Sequence, residues 1–374
     1  MTEVALDPFG SVGSLLGYVI GMLGTGYCSF EALGYRLLSL GEDMQRREFI
    51  TLLGCGVVAS FLSWPFAARS QTASRLPIIG FLGAGAPDTS APLLDAIKQG
   101  LRENGLIENK DYFLDARWAE GRYERFAAFA RELVDGEARV IIVSTIAAVR
   151  AAQRATSVIP IVMTSMNDPV GNGIVASLAR PGGNTTGMAT LNEDVSPKLV
   201  EFLHDLLPGA TASAVLFNPA NPSNPAYLES ARTQAAAVGI AVQPYALNAP
   251  AELDDAFVAI AARKSDAVLV MPDAATLDLG ARIAALGIQH RLPIISTDAD
   301  LTRAGGLISY GVSRRENYRR SAYFVKKVLD GVKPADLPVE QPTRIIFSVN
   351  LKTAKALGLS MPDAILVRAD EVIE

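Results

Sequence analysis

The stretch VIIVST, residues 140–145, is an apolar run that ends in two hydroxyls, and it decides the fold. A helical pattern follows, and then comes PIVMTS at 160–165. The same order recurs later, with VLVMPD at 268–273, a helical pattern and PIISTD at 293–298. Short apolar strands between helices are typical of parallel sheets covered on both faces. This repeated order predicts two α/β lobes. The alternative is that the similarity of the two halves is a coincidence within a βα protein.

Working outward, the same alternation extends over most of the chain. In the first half it predicts strands at 77–83, 112–118, 140–144, 161–164 and 185–190, and helices at 92–104, 123–134, 146–155, 170–178 and 197–207. In the second half it predicts strands at 214–218, 241–247, 267–271, 294–296 and 307–310, and helices at 225–238, 252–262, 275–290 and 315–329. One open sheet would carry too many helices, so we expect two doubly wound parallel-sheet lobes joined by a hinge.

The N-terminal part of the sequence has a different character. Arg46 and Arg47 precede an uncharged stretch from 49 to 68 that ends in small residues, which is the order of a signal peptide over 44–70. The arginine pair is similar to the twin-arginine export motif, so we expect export by the general secretory or the twin-arginine route. Met44 is then the expected start, and 1–43 an upstream extension from a mis-assigned start. A membrane anchor at 9–30 is the alternative.

Composition argues against several classes of protein. The chain has 34 Lys and Arg against 39 Asp and Glu, a net charge of −5, which disfavours nucleic acid as a partner. Two Cys and two His are too few for a multi-ligand zinc site, so we expect no metal.

Motifs for catalysis and cofactor binding are missing from the sequence. Gly83 and Gly85 follow a predicted strand, but Asp88 stands where a dinucleotide fingerprint needs its third glycine. The sequence has no phosphate-binding lysine loop and no Gly-x-Ser-x-Gly elbow. We therefore expect no cofactor, no catalytic residue and no enzyme. An α/β enzyme acting on a nucleotide or a sugar remains the alternative, since paired carboxylates can do acid–base work.

Polar residues collect where predicted strands end. Ligands of open α/β sheets bind beyond the carboxyl ends of strands. A helix begins directly after residues 144–145, and its N-terminus favours an anion, while carboxylates accept from an ammonium or a hydroxyl. Helix capping is the structural alternative for the hydroxyls and aspartates. The candidate ligand-binding residues are Ser144, Thr145, Thr164, Asn167 and Asp168 in the first lobe and Asn218, Asp273, Asp298 and Tyr310 in the second.

Several separated strings together resemble one family. They include RREFITLLG at 46–54, PIIGFLG at 77–83, NDPV at 167–170, LARPGGNTTG at 178–187, AGGLISYG at 304–311 and NLKTAKALGL at 350–359. They resemble the ABC transporter substrate-binding proteins related to the tryptophan and tyrosine uptake receptors.

The resemblance implies a type I periplasmic-binding fold whose lobes close on a small polar solute such as an amino acid. It also implies a periplasmic location, delivery to an ABC permease in the inner membrane, and a monomer. We place the N-terminal lobe at 71–192 with a returning crossover at 322–350, the C-terminal lobe at 193–321 and a C-terminal extension at 351–374. The effector domain of a repressor shares this architecture, but an export signal stands where its DNA-binding helices would precede the first lobe.

Overall fold

The computed structural model describes residues 75–190 and 192–374. The predicted signal peptide at 44–70 and the segment 1–43 lie outside the described residues. Among the residues that are described, no helix combines the length and the apolar character that a membrane crossing requires.

The first sheet is parallel throughout, with strand order β2-β1-β3-β4-β5. Its strands are β1 (Ile78–Gly83), β2 (Phe113–Trp118), β3 (Val140–Val143), β4 (Ile161–Met166) and β5 (Thr185–Ala189). The helices between them are α1 (Pro87–Glu103), α2 (Phe126–Asp135) and α3 (Ile146–Ala155), and a 3₁₀ turn at Tyr123–Arg125 precedes α2. β3 is buried along its whole length, as its continuous apolar pattern predicts for a strand covered on both faces.

The second sheet has the order β12-β11-β10-β9-β8-β6-β7, and β10 with β11 is its antiparallel pair. The strands are β6 (Ala212–Phe217), β7 (Ala241–Ala246), β8 (Ala267–Val270), β9 (Ile294–Ser296), β10 (Ile308–Gly311), β11 (Ile346–Asn350) and β12 (Glu371–Ile373). The helices of this part of the chain are α4 (Asn192–Leu206), α5 (Asn224–Ala237), α6 (Leu253–Ala262), α7 (Ala274–Leu277), α8 (Gly280–Gln289), α9 (Ala299–Arg303), α10 (Arg314–Leu329), α11 (Leu351–Leu357) and α12 (Asp363–Leu366), and all but α10 accompany the second sheet. Two α/β lobes with mainly parallel sheets confirm the predicted fold class.

The chain passes between the lobes three times. It leaves the first sheet after β5, returns with α10, which packs against α1 and β4, and crosses again before β11. α1 and α10 approach so closely that a Cβ on Gly100 would lie 2.0 Å from the carbonyl oxygen of Arg319. The close approach explains why α1 carries a glycine there.

The packing differs from the predicted lobe boundaries at these crossings. The prediction places the start of α10 in the C-terminal lobe with 193–321, yet this helix packs on the first lobe. It places 322–350 wholly in the N-terminal lobe, whereas β11 pairs with β10 in the second sheet. Residues 351–374 extend that same sheet, because β12 pairs with β11.

The helix predicted over 170–178 does not form, and these residues form turns and bends instead. The carboxylate of Asp168 accepts from the amide of Gly171, and the Asn172 side chain donates to the carbonyl of Asp168. Such hydrogen bonds between side chains and nearby backbone groups compete with helix formation, and the glycines of this segment have a low helix propensity. The single helix predicted over 275–290 is divided into α7 and α8.

Candidate functional site

A cavity of about 60 Å³ lies between the two lobes, where the carboxyl ends of the strands face each other. The first lobe contributes residues at the ends of β3, β4 and β5, and the second contributes residues that follow β6, β8, β9 and β10. A cavity of this size holds only a few water molecules. The two lobes are therefore closed on each other. The principal polar lining residues are Ser144, Thr145, Ser165, Asn167, Thr190, Asn221, Ser223, Asp273, Thr297, Arg314 and Tyr318.

The first-lobe side of the cleft is formed by hydroxyls and amides. Ser144 is buried and donates from Oγ to the carbonyl of Leu82 at 3.0 Å. Thr145 is the N-cap of α3, and its Oγ1 accepts from the amide of Ala148 at 3.2 Å. The capping alternative therefore holds for Thr145, and the positive end of the α3 dipole borders the cleft.

Asp273 is the carboxylate on the second-lobe side. It caps α7 by accepting from the amide of Thr276 at 3.2 Å. Asn218 donates to its Oδ1 at 3.1 Å, and Asn221 donates to its Oδ2 at 2.9 Å. Tyr123 of the first lobe also donates to Oδ2, at 2.8 Å. These donors hold the carboxylate in one orientation at the edge of the cavity.

A buried charge cluster lies beside Asp273. Arg314 donates from Nη2 to Asp278 at 2.7 Å and from Nη1 to Asp298 at 2.9 Å. Its side chain is 13% exposed, and those of Asp278 and Asp298 are 6% and 5% exposed. Two acidic groups around one cation leave an excess of negative charge when all three are ionised.

Burial determines how the groups of this cluster titrate. It raises the pKa of Asp298, and the neighbouring Arg314 offsets only part of that rise. Burial alone would lower the pKa of Arg314, but Asp278 and Asp298 together hold that pKa well above its ordinary range. Burial also raises the pKa of Tyr318, against the charge of Arg314. Arg314 is therefore a permanent cation of the cleft.

Of the predicted site residues, Ser144, Thr145, Asn167 and Asp273 line the cavity. Asn218 lies one step behind, where it donates to Asp273 and accepts from the amide of Ala220 at 2.9 Å. Its role is to orient Asp273.

The other predicted residues do not line this cavity. β4 runs two residues further than predicted, so Thr164 is inside the strand, fully buried, and donates to the carbonyl of Val143. Asp168 turns back to the Gly171 amide. The carboxylate of Asp298 accepts a hydrogen bond from Arg314 and caps the N-terminus of α9. Tyr310 packs beside Phe202, with ring centroids 5.3 Å apart, in the core of the second lobe.

The sequence reasoning missed Arg314 and Tyr318, which both belong to the first turns of α10. A signal for Arg314 was present. A cation in the first turn of a helix faces the positive end of the dipole, so it needs acidic partners from elsewhere. In the part of the chain that the structure describes, no group of three or more His, Cys, Asp or Glu is arranged to hold a metal ion.

Comparison with known proteins assigns this architecture to a family. The model of the ABC transporter substrate binding protein family matches residues 88–373. A tyrosine-binding protein of Clostridioides difficile (strain R20291) is 25% identical over 288 residues, which cover 75% of this chain and 82% of the relative.

Solved structures agree with this family. A conserved domain protein from Vibrio cholerae has a TM-score of 0.72 at 25% identity, covering 80% of this chain and 100% of that chain. The ABC domain in complex with L-Trp from Streptococcus pneumoniae has a TM-score of 0.71 at the same identity and the same coverage. This chain belongs to the ABC transporter substrate-binding protein family and has its two-lobe type I periplasmic-binding fold.

Proposed function

We propose that this protein is the exported solute receptor of an ABC importer and that it binds an amino acid as a zwitterion between its lobes. The observation that carries the proposal is the charge of the cleft. Among the cavity-lining side chains of the described residues, Asp273 and Arg314 are the charged ones, and hydroxyls and amides supply most of the remaining polar atoms. An amino acid presents one ammonium and one carboxylate to such a surface.

In this proposal each end of the ligand binds to one lobe. Asp273, already fixed by Asn218 and Asn221, accepts from the ammonium. The N-terminus of α3 at Thr145, with its positive dipole end, faces the carboxylate.

Apolar lining supports a ligand with a hydrophobic side chain. Ile146, Met166, Leu277 and Val312 line the same cavity, and Tyr318 adds an aromatic ring. Ligand pockets usually measure roughly 300–1,000 Å³, so the solute enters while the cleft is open, before the lobes close over it. The tyrosine-binding relative and the L-Trp complex support an aromatic amino acid.

Calorimetry of the full chain tests this proposal. We expect L-tyrosine or L-tryptophan to bind, and tyramine and 3-(4-hydroxyphenyl)propionate to bind at least about tenfold more weakly, because each lacks one charged group. Equal affinity for the amino acid and both analogues would contradict the zwitterion site. Turnover of any of these compounds would contradict the receptor assignment and favour the enzyme alternative.

Two aspartates at opposite ends of β8 provide a matched pair of variants. Asp273→Asn removes the cleft carboxylate and is expected to weaken amino acid binding about tenfold or more. Asp266→Asn is the control, since Asp266 accepts from the amide of Thr211 at the far end of the same strand. Equal affinities of the two variants would exclude Asp273 as the ammonium partner.

Export and delivery complete the proposal. A periplasmic receptor passes its solute, as a monomer, to a permease in the inner membrane, and the signal-like segment 44–70 supports that location. Sequencing the N-terminus of the protein recovered from the periplasm is expected to show a chain that begins after Ser70. Recovery in the cytoplasm, with the segment 44–70 intact, would contradict export.

A further inference from the structure

Two hydroxyls of the first lobe donate across the cleft to aspartates of the second lobe. Tyr123, in the 3₁₀ turn before α2, donates to Oδ2 of Asp273 at 2.8 Å. Ser90, in the first turn of α1, donates to Oδ2 of Asp278. All four side chains are buried or nearly so.

The contact of Asp278 with the first lobe is tight. A Cβ built on Gly85 would lie 2.1 Å from Oδ2 of Asp278, so the carboxylate rests directly against the backbone of the other lobe. The negative group also lies at the N-terminal end of α1, where the helix dipole favours it. The second oxygen of Asp278 is bound by Arg314 at 2.7 Å. A larger residue at position 85 would therefore displace the Asp278 carboxylate and the Ser90 hydroxyl from the positions they hold in this closed arrangement.

The bonds of Asp273 are of two kinds. Its contacts with Asn218, Asn221 and Thr276 lie within the second lobe and persist when the lobes separate. Its bond from Tyr123 exists only while the lobes are together. A bond that forms after closure stabilises the closed state and leaves the open state unchanged.

We propose that Tyr123 and Ser90 are positioning residues that act through Asp273 and Asp278 and set how slowly the closed cleft reopens. The inference rests on the proposed function, because reopening is the step that releases the solute. Contacts made only after closure change the dissociation rate constant and leave the association rate constant largely as it is. Neither hydroxyl needs to touch the ligand for this effect.

The rate constants of full-chain variants test the inference. The variants are Tyr123→Phe, Ser90→Ala and the double variant, and dissociation of radiolabelled L-tyrosine is followed in a chase with unlabelled ligand. We expect each single variant to dissociate about tenfold faster, as for loss of a hydrogen bond to a charged group, with the association rate constant within about twofold. An unchanged dissociation rate constant would overturn the inference. So would a loss of affinity that arises only from a lower association rate constant.

Matched controls separate closure from general damage. Tyr245→Phe and Ser265→Ala also remove a tyrosine and a serine hydroxyl, but their bonds to Gln243 lie within the second lobe. We expect both controls to keep the dissociation rate of the unaltered protein. Faster dissociation in the controls, to the same extent, would overturn the assignment to cross-lobe bonds.

A measurement without ligand tests the effect of the two hydroxyls on closure separately from the proposed function. Small-angle scattering of the ligand-free double variant and of Gly85→Ala is expected to give a larger radius of gyration than the unaltered chain gives. An identical radius in all three proteins would overturn the inference. Failure of the unaltered protein to bind L-tyrosine or L-tryptophan would instead count against the proposed function, and the scattering comparison would still decide the role of the two hydroxyls.

Discussion

The two sides of the cleft differ in charge. The first-lobe side presents hydroxyls and amides, at Ser144, Thr145, Ser165 and Asn167, and among the described residues of the β3, β4 and β5 ends none that lines the cavity is charged. The second-lobe side holds Asp273 at the cavity and Asp278 and Asp298 beside it. The difference shows that closure brings neutral donors of one lobe to fixed carboxylates of the other.

Arg314 is the residue on which this asymmetry depends most. It lies on α10, which packs on the first lobe, but its guanidinium neutralises aspartates of the second. Arg314→Met would leave Asp278 and Asp298 buried without a cation. We expect a loss of about 3–5 kcal/mol in the free energy of unfolding, measured by urea titration, because an uncompensated buried charge is strongly destabilising.

Arg303→Met is the control for that comparison. Arg303 also binds two carboxylates, Asp300 and Glu371, but its side chain is about half-exposed. Exposed ion pairs contribute about 1 kcal/mol or less, so the control should unfold close to the unaltered protein. Equal losses in both variants would contradict a special role for the buried cluster.

The pH dependence of stability should have opposite signs in these two clusters. Burial raises the folded pKa of Asp298 above its ordinary 3.8, so its contribution is fully present below that pH and is lost as pH rises through the folded pKa. Arg303 lowers the pKa of Glu371 below 4.5, so its contribution is present above that pH and is lost as pH falls. We expect the stability of the unaltered protein relative to Asp298→Asn to decline above pH 3.8, and relative to Glu371→Gln to decline below pH 4.5.

Chemical denaturation at a series of pH values measures both differences. The Glu371 change should be the smaller of the two because that side chain is partly exposed. Two slopes of the same sign would show that burial does not govern the titration of Asp298.

On the first-lobe side, Thr145→Val tests the hydroxyl that caps α3. We expect a loss of about 1 kcal/mol in stability from the missing cap, and a several-fold weaker affinity for L-tyrosine from a less ordered helix N-terminus. Thermal unfolding and calorimetry measure the two quantities. Affinity that stays the same while stability falls would remove α3 from the proposed carboxylate site.

The smallest effect is expected at Tyr310, which the sequence placed in the cleft. Its ring packs edge-on against the stacked rings of Phe202 and Phe347, so Tyr310→Phe should leave the affinity for L-tyrosine within about twofold. Tyr318→Phe, which alters a cavity-lining ring, should weaken binding more. A larger loss of affinity in Tyr310→Phe than in Tyr318→Phe would contradict the placement of Tyr310 in the core and Tyr318 at the cavity.

The fold could be predicted because it rests on local patterns. Continuous apolar strands such as β3 and β8 can be recognised without knowledge of their neighbours, and the repeated order around them indicated two lobes. The antiparallel strand β11 was not assigned to its sheet, because pairing with β10 depends on where the chain crosses between lobes. The false helix at 170–178 arose because side-chain turns of Asp168 and Asn172 compete with helix hydrogen bonds.

The site could be predicted only in part. The strand-end rule located Ser144, Thr145, Asn167 and Asp273 at the cavity, and their contact with ligand stays a prediction. The rule failed at Thr164 because an apolar pattern does not show how far β4 continues into polar residues. It could not reach Arg314, whose position depends on α10 returning to the first lobe while its first turn remains beside the second.

A crystal structure of the full chain grown with L-tyrosine tests the central claim most directly. We predict one ligand molecule between the lobes, with its ammonium within hydrogen-bonding distance of Asp273 and its carboxylate at the N-terminus of α3. A ligand bound to one lobe alone, or outside the cleft that Asp273 and Thr145 border, would contradict the account.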